Sequence, residues 1–190
     1  MRIIVIGTRG FPHVQGAFSQ TLVVGGEHCH VFPEGTTANE GAFAEPLSVA
    51  IHAIHRAGEM MGKRVLVTGA CGTVGKELVR QLLEEQAVAE LIALDNNESE
   101  LFALEQQLCD HNQATFFLAD VRDRDRLSDK MKGIDWVFHT AAFKHVLQCE
   151  RSPFEAVQTN ILGVQNIIYA AIENKVARVI FTSSDKAVNP

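Results

Sequence analysis

The sequence predicts an α/β fold in which a parallel sheet is doubly wound, with helices on both faces. Three observations predict it. From residue 63 onward, short apolar runs alternate with amphipathic stretches, as strands alternate with helices in such sheets. A glycine-rich turn follows the first run, and an aspartate follows each of the next two. These features are typical of a sheet that binds a ligand at the carboxyl ends of its strands.

The predicted elements follow the order βαβαβαβαβ. The predicted strands are residues 64–68, 91–94, 115–118, 136–139 and 179–182. The predicted helices, which have apolar residues at helical spacing, are residues 74–85, 98–108, 125–131 and 154–173. Residues 63–190 are therefore predicted to form a single domain with a truncated doubly wound sheet.

The first 62 residues follow a different pattern and are predicted to be an irregular N-terminal extension, not an independent domain. Strands are predicted at residues 1–7, 20–24 and 28–32, followed by a turn at residues 33–35. A helix that covers residues 46–56 is predicted to lead into the sheet domain.

Composition limits the class of protein. The 190 residues carry a formal net charge of −6, so a broad basic surface for nucleic acid is not expected. No apolar run approaches the roughly 18 residues of a membrane span, and we expect no membrane attachment and a cytoplasmic location. The cysteines lack the paired spacing of disulfide frameworks or zinc knuckles and are expected to be reduced thiols: Cys29, Cys71, Cys109 and Cys149.

The glycine turn, defined by Gly69, Gly72 and Gly75, gives the strongest functional signal. The first glycine permits a tight turn, the second lets backbone approach a pyrophosphate, and the third lets the next helix pack near the strand. The helix offers phosphate its dipole and the N–H groups of its first turn, including those of Thr73 and Val74. This pattern predicts a Rossmann-like dinucleotide site, and the alternative interpretation is a purely structural turn.

Asp95 ends the second strand, where a carboxylate can accept hydrogen bonds from an adenosine ribose. A carboxylate repels a 2′-phosphate, and the next residue, Asn96, supplies no cation. NAD is therefore the expected cofactor, with NADP as the alternative if a more distant arginine binds the phosphate. The alternative interpretation of Asp95 is a turn residue that ends the strand.

The same row of candidates continues at the ends of the next two strands. Asp120 and Val121 are candidates for contacting adenine, and the small side chains of Ala141 and Ala142 would let a cofactor pass close to the backbone. All four lie at the predicted carboxyl edge of one sheet, where doubly wound folds bind ligands.

Residues 63–190 resemble the extended short-chain dehydrogenase/reductases, and within them the nucleotide-sugar 4,6-dehydratases and epimerases of polysaccharide biosynthesis. The matching stretches are VTGACGTVG at 67–75, LDNNE at 94–98, AAFKHV at 141–146, NILGV at 160–164 and TSSDKAVNP at 182–190. The resemblance implies bound NAD(P) and a nucleotide-sugar substrate such as UDP-N-acetylglucosamine. It further implies oxidation at C4, loss of water across C5 and C6, and return of the hydride to C6.

The resemblance also implies a catalytic group at the end of the chain. By position, Ser184 would polarise or hydrogen-bond the C4 hydroxyl, while Asp185 and Lys186 would transfer protons in the elimination. Without the surrounding motif, the aspartate and lysine would be interpreted as a surface ion pair at a strand end.

Three further residues are implied to lie near the site, and one expected motif is missing. Asn160 would shape the site from a helix, and Lys144 with His145 would lie beside the cofactor or substrate. The catalytic Tyr-x-x-x-Lys has no counterpart, since the only tyrosine, Tyr169, is followed by Glu173 at the fourth position. We therefore expect catalytic incompleteness. The alternative is a non-catalytic dinucleotide-binding module or chimera.

The N-terminal extension resembles other families. Residues 16–69, with HCHVFP at 28–33 and AFAEPLSVAIHA at 42–53, resemble zinc-dependent medium-chain polyol dehydrogenases of the idonate or sorbitol type. Residues 1–15, with IGTRGFP, resemble the start of a bacterial sugar-nucleotide glycosyltransferase. A mosaic chain, natural or engineered, is therefore predicted, and a fragment of a polyol dehydrogenase is a further alternative.

No metal site is predicted. His28 with His30, or His52 with His55, could pair on a metal, but no third and fourth ligand is evident in the sequence. Apolar surface left uncovered by a truncated sheet predicts self-association, so we expect a homo-oligomer.

Overall fold

The computed structural model describes residues 3–5 and 29–182. The strand predicted at 20–24 lies outside these ranges. So does the predicted catalytic group, which consists of Ser184, Asp185 and Lys186.

Strands and helices alternate along most of the described chain. The strands are β1 (Ile3–Val5), β2 (Cys29–Val31), β3 (Arg64–Thr68), β4 (Glu90–Asp95), β5 (Ala114–Leu118), β6 (Trp136–His139) and β7 (Arg178–Phe181). The helices are α1 (Ala38–Ala42), α2 (Ala44–Ala57), α3 (Thr73–Glu84), α4 (Glu98–Gln107), α5 (Arg124–Lys130), α6 (Val146–Arg151), α7 (Pro153–Val157) and α8 (Val164–Glu173). No helix within the described ranges has the length and apolar character that crossing a bilayer requires.

Strands β3 to β7 form one five-stranded parallel sheet in the order β5-β4-β3-β6-β7. The chain runs outward from β3 to β5 and then returns to place β6 on the other side of β3. The strand order therefore reverses between β3 and β6, which is the switch point where doubly wound sheets bind ligands. The predicted Rossmann-like fold is confirmed.

The central strands send alternate side chains to opposite faces of the sheet. Val65 and Val67 of β3 belong to a core cluster with residues of α2, α3 and α4, whereas Leu66 belongs to a second cluster with residues of α5 and α8. Because helices cover both faces, a central strand must be apolar on both sides. This requirement explains why RVLVT is almost continuously apolar.

The chain forms two compact units, and the second begins at Val49. Ala50, Ala53 and Ile54 of α2 are buried in the same core cluster as the sheet. Residues 49–62, assigned by sequence to the extension, are therefore part of the unit that contains the sheet. That residues 1–62 lack an independent fold stays a prediction.

The first unit, which ends at Ser48, contains a small sheet and a capped helix. Strand β1 pairs antiparallel with β2. Helix α1 begins with a capping box, in which the Thr37 side chain accepts from the Glu40 backbone N–H (3.2 Å) and the Glu40 carboxylate accepts from the Thr37 N–H (2.7 Å).

The helix predicted at 154–173 differs from the observed structure. Its helical path begins at Pro153 and contains a stretch of π-helical hydrogen bonding, Gln158–Gly163, between α7 and α8. Such π turns are often found at functional sites. Neither α1 nor α6 is among the predicted helices, because a helix of five or six residues is too short to show a clear apolar period.

Candidate functional site

The glycine turn after β3 lies directly against the end of β6. Gly69 has a φ of +70°, and a Cβ there would be 2.5 Å from the backbone nitrogen of Ala141 and 2.7 Å from its Cα. The Thr140 hydroxyl donates to the carbonyl oxygens of Thr68 (2.8 Å) and Gly69 (3.1 Å). Only glycine fits this position, and the turn is held at the switch point of the sheet.

Helix α3 has one glycine at its N-cap and another within its first turn. Gly72 is its N-cap, and no side chain caps the helix. A Cβ at Gly75 would collide with the carbonyl oxygen of Gly69, so the helix packs onto the turn in the way predicted from sequence. The first N–H groups, which include those of Thr73 and Val74, have no acceptor within the helix.

The uncapped start of α3 contrasts with its neighbours. Asn97 accepts from the Glu100 N–H at the start of α4 (3.2 Å), and Asp123 accepts from the Arg126 N–H at the start of α5 (3.0 Å). A side chain thus satisfies one N–H group at each of those helices. At α3 the corresponding groups are available to an anion.

Asp95 ties the end of β4 to the glycine turn. Its Oδ2 accepts from the Cys71 backbone N–H (2.9 Å), and its Oδ1 accepts from the Asn97 N–H (3.0 Å). The contact with Asn97 forms the local turn at the end of β4 that the alternative interpretation expected. The contact with Cys71 connects Asp95 to the glycine turn after β3. Each carboxylate oxygen keeps a second lone pair for a ligand hydroxyl.

Cys71 carries a thiol that stays protonated. Burial, and next the neighbouring Asp95 carboxylate, raise the pKa of the Cys71 thiol to about 12. This cysteine is therefore a small neutral group within the turn, not a nucleophile.

Asp120 and Val121 lie after β5 in different environments. The Arg122 guanidinium donates to both oxygens of Asp120 (2.6–3.0 Å), and with a smaller contribution from Asn96 it lowers the pKa of the Asp120 carboxyl. Val121 is buried, and its carbonyl oxygen accepts from the Asn166 amide (3.1 Å). A contact of either residue with adenine stays a prediction.

The segment after β6 is held by Asn160 from the π-helical stretch. Its Oδ1 accepts from the Phe143 N–H (2.8 Å), and its amide nitrogen donates to the Phe143 carbonyl oxygen (2.9 Å). The backbone between Ala142 and Lys144, both exposed, is thereby fixed at the sheet edge. Asn160 thus contacts protein backbone, and its role in shaping an active site stays a prediction.

Sequence reasoning missed a buried polar pair beneath the site. The Thr68 hydroxyl lies 2.7 Å from Nδ1 of His139, which packs edge-on against Phe181 at 5.5 Å between ring centroids. Burial lowers the pKa of the His139 imidazole to about 4, so the ring is neutral near pH 7. The signal that could have found it is a histidine as the last residue of an otherwise apolar buried strand.

The fold brings the predicted cofactor residues to one edge of the sheet. The residues placed at or beside the carboxyl ends of β3 to β6 are Gly69, Gly72, Thr73, Val74, Gly75, Asp95, Asn96, Asp120, Val121, Ala141, Ala142, Lys144 and Asn160. Their contact with a dinucleotide stays a prediction. Among the described side chains, no group of three or more His, Cys, Asp or Glu is placed to hold a metal ion.

Comparison with known protein families gives a match over most of the chain. The profile of the family described as "polysaccharide biosynthesis protein" matches residues 65–190. This range includes all of the sheet except Arg64, together with the glycine turn and the segment that contains the predicted catalytic group.

Two curated relatives align over the same part of the chain. A protein of Methanocaldococcus jannaschii, named only as an uncharacterized membrane protein, is 48% identical over 128 residues, which are 67% of this chain and 38% of the relative. UDP-N-acetylglucosamine 4,6-dehydratase (inverting) from Campylobacter jejuni is 41% identical over 129 residues, which are 68% of this chain and 38% of that enzyme. The chain thus spans less than half the length of the curated relatives it matches.

A solved structure shares the fold. The UDP-glucose 4-epimerase of Stenotrophomonas maltophila, determined with bound NAD and a formylated UDP-arabinopyranose, superposes with a TM-score of 0.58 at 28% identity. The superposition covers 65% of this chain and 38% of the epimerase.

Proposed function

The chain belongs to the polysaccharide biosynthesis family, and from this premise we propose that its sheet binds NAD(P) as part of a nucleotide-sugar 4,6-dehydratase or epimerase. One observation carries the proposal. The glycine turn presents an α3 N-terminus without a side-chain cap, next to the Asp95 carboxylate at the switch point of the sheet. That combination suits a pyrophosphate bound next to a ribose.

The residues present fit the dinucleotide. Side chains at Gly69 and Gly75 would collide with backbone, so the turn keeps a shape in which backbone N–H groups can approach phosphate. The N–H groups of Thr73 and Val74 would donate to the pyrophosphate, and Asp95 would accept from the ribose hydroxyls.

The other cofactor contacts extend along the sheet edge. Asp120 and Val121 would border the adenine, while Ala141 and Ala142 would lie along the cofactor as it crosses β6. Lys144 would lie at the substrate side of this crossing. Asn160 would keep the backbone of this segment in place through its two hydrogen bonds to Phe143.

NAD is proposed as the preferred cofactor. The Asp95 carboxylate would accept hydrogen bonds from a free ribose 2′-hydroxyl but would repel a 2′-phosphate. NADP is the alternative cofactor.

The substrate is proposed to be a nucleotide sugar such as UDP-N-acetylglucosamine. Bound NAD(P) would accept hydride from the sugar C4 and return it to C6. Ser184 would hydrogen-bond the C4 hydroxyl, and Asp185 and Lys186 would move protons in the elimination. We expect little dehydratase turnover from the 190-residue chain, because its only tyrosine, Tyr169, lies in α8 without a lysine at the fourth following position.

A titration of the purified chain with NADH and NADPH, followed by fluorescence and thermal shift, tests the cofactor proposal. Saturable binding is expected in the wild type and not in Gly72→Asp, which would bring a negative charge to the proposed pyrophosphate position. Asn112→Asp is the matched control, since it adds a negative charge at an exposed position just before β5, at the opposite sheet edge. The absence of binding to the wild type would refute the proposal.

A separate incubation with UDP-N-acetylglucosamine tests catalytic incompleteness. Ready formation of the 4-keto-6-deoxy product by the 190-residue chain would contradict it. No product together with saturable NADH binding is the expected outcome.

Self-association is also proposed, through the outer face of the helices that follow β6. Large apolar side chains are exposed there: Val146, Leu147, Phe154, Val157, Ile161, Ile168 and Ile172. Exposed apolar side chains in this number favour contact with a second copy of the chain. A cytoplasmic location stays a prediction from sequence.

A further inference from the structure

A closed ring of contacts lies beside the carboxyl end of β4, where the ribose is proposed to bind. Asp95 accepts from Cys71 in the glycine turn and from Asn97, and Asn97 in turn accepts from the Glu100 N–H. The Glu100 carboxylate pairs with the Lys76 ammonium (2.6 Å), and the Lys76 N–H returns to the carbonyl oxygen of Gly72 (2.8 Å). The ring therefore connects the first turns of α3 and α4 beside the end of β4.

The lysine in this ring carries the positive charge that a 2′-phosphate would need. Lys76 lies in the first turns of α3, and its charge, with those of Asp95 and Glu100, acts on the Cys71 thiol between them. Its side chain is partly exposed and has the flexible stem of any lysine, yet it is paired with Glu100.

The arginine at the neighbouring strand end is paired in the same way. Arg122 donates to both oxygens of Asp120 and also to Glu155 (2.6 Å). The cations that adjoin Asp95 and Asp120 are thus each held by carboxylates of the chain itself.

We propose that Glu100, by holding Lys76, is a determinant of the preference for NAD over NADP, in addition to Asp95. This inference rests on the proposed NAD(P) site. When Glu100 holds Lys76, a 2′-phosphate meets the Asp95 carboxylate without a compensating cation. Once released, Lys76 would donate a charge-assisted hydrogen bond to that phosphate. Its hydrogen bond to a 2′-hydroxyl would be weaker, because the hydroxyl carries no negative charge.

The test is the ratio of the NADPH and NADH dissociation constants, measured by fluorescence titration at low ionic strength. Glu100→Gln should lower this ratio by about fivefold, because an exposed ion pair of up to about 1 kcal/mol no longer holds Lys76. Glu98→Gln is the matched control, because it removes the same charge from the same helix turn without releasing a lysine, and its ratio should stay within about twofold of wild type.

Two lysine variants complete the test. Lys76→Gln alone should leave the ratio within about twofold of wild type, while Lys76→Gln in the Glu100→Gln background should restore the wild-type ratio. The double variant shows whether the effect of Glu100 acts through Lys76. The single variant Lys76→Gln keeps the inference open to contradiction even if Glu100→Gln fails to fold.

The outcomes separate this inference from the proposed function. Binding of neither cofactor to the wild type would overturn both. Normal NADH binding with an unchanged ratio in Glu100→Gln, or an equal change in Glu98→Gln, would overturn the inference alone. A selective loss of NADPH binding in Lys76→Gln would also overturn it, because Lys76 would then already serve the phosphate.

Discussion

Residues 64–139 and residues 140–182 bury their side chains very differently. In the first region, four of the five residues of β3 are buried, and α3 buries six residues. In the second region, neither α6 nor α7 has a buried residue within the described chain, and the two end residues of β7 are exposed. The first region therefore forms most of the core, which α2 and α8 complete, whereas α6 and α7 of the second region present apolar side chains that a further surface could cover.

The two regions also differ in which atoms surround their glycines. A Cβ at Gly75 would meet backbone atoms of the glycine turn, while a Cβ at Gly163 would meet the side chain of Val121 at 2.8 Å. Backbone in a rigid turn cannot move aside, but a side chain can shift. Glycine-to-alanine substitution in residues 64–139 should thus be tolerated less well than in the helices after β6.

The largest expected effect is that of Gly75→Ala. Its Cβ would collide with the Gly69 carbonyl oxygen and lie 3.0 Å from the Ala70 Cα. The free energy of unfolding should fall by at least about 3 kcal/mol, and saturable NADH binding should be lost. Denaturant unfolding and NADH titration measure the two effects.

Gly163→Ala is the control for this prediction. Val121 is buried and stiff, but it can shift slightly where backbone cannot, so we expect a loss of about 1–2 kcal/mol, smaller than that of Gly75→Ala. Equal destabilisation by the two variants would remove the proposed contrast between the regions.

The second effect is a pH dependence of stability that arises from His139. Its pKa is lowered from 6.5 to about 4 in the folded state, so the unfolded state binds more protons between these values and stability falls as the pH drops below 6.5. Through His139, the free energy of unfolding at pH 4.5 should be about 2.5 kcal/mol lower than at pH 7.5. Denaturant unfolding of wild type and His139→Gln at both pH values measures it.

His145, which is exposed in the second region, provides the matched control. His139→Gln should remove much of the acid destabilisation, while His145→Gln should follow the wild-type curve. The same acid sensitivity in wild type and His139→Gln would mean that the buried imidazole is not its source.

A smaller effect is expected when Asn160 is replaced by alanine. Loss of its two hydrogen bonds to Phe143 should cost about 1–2 kcal/mol and loosen the backbone at 141–146. Hydrogen exchange measured by mass spectrometry should become faster in that segment and stay unchanged in the glycine turn.

Asn174→Ala is the control for this loosening. Asn174, at the C-terminal end of α8, also donates to backbone. Its acceptors are the carbonyl oxygens of Ser128 and Ala170. Faster exchange at 141–146 in both variants would indicate general destabilisation, not release of one segment.

The smallest effect on stability is expected from Ile161→Ser on the outer helix face. Ile161 is 60% exposed, so the free energy of unfolding should change by less than about 0.5 kcal/mol. Sedimentation velocity should nevertheless show weaker self-association.

Ile167→Ser, in the same helical stretch but fully buried, should destabilise the fold by about 3 kcal/mol. An unchanged sedimentation coefficient in Ile161→Ser, for a wild type that does associate, would exclude this face as the contact.

The elements with strong local signals were predictable from sequence. β3 and β6 have the predicted bounds, and α3 and α5 are displaced by one residue. Buried parallel strands are short continuous apolar runs, and amphipathic helices show an apolar period of 3.6 residues, so local composition is sufficient for them.

The interruption of the long helix was not predictable. Residues 154–173 keep a helical apolar period throughout, whereas the π-helical stretch coincides with Asn160 reaching the Phe143 backbone seventeen residues earlier in the chain. A contact between distant residues leaves no trace in the local period.

The sequence by itself determined the doubly wound sheet, the glycine turn and the acidic ends of the strands, because apolar period and glycine spacing are local properties of the chain. Only the tertiary structure decided how Asp95 divides its oxygens between Cys71 and Asn97, and that Lys76 is paired with Glu100. Such pairings depend on which strand ends and helix termini the fold brings within a few ångströms, and spacing along the chain does not encode those distances.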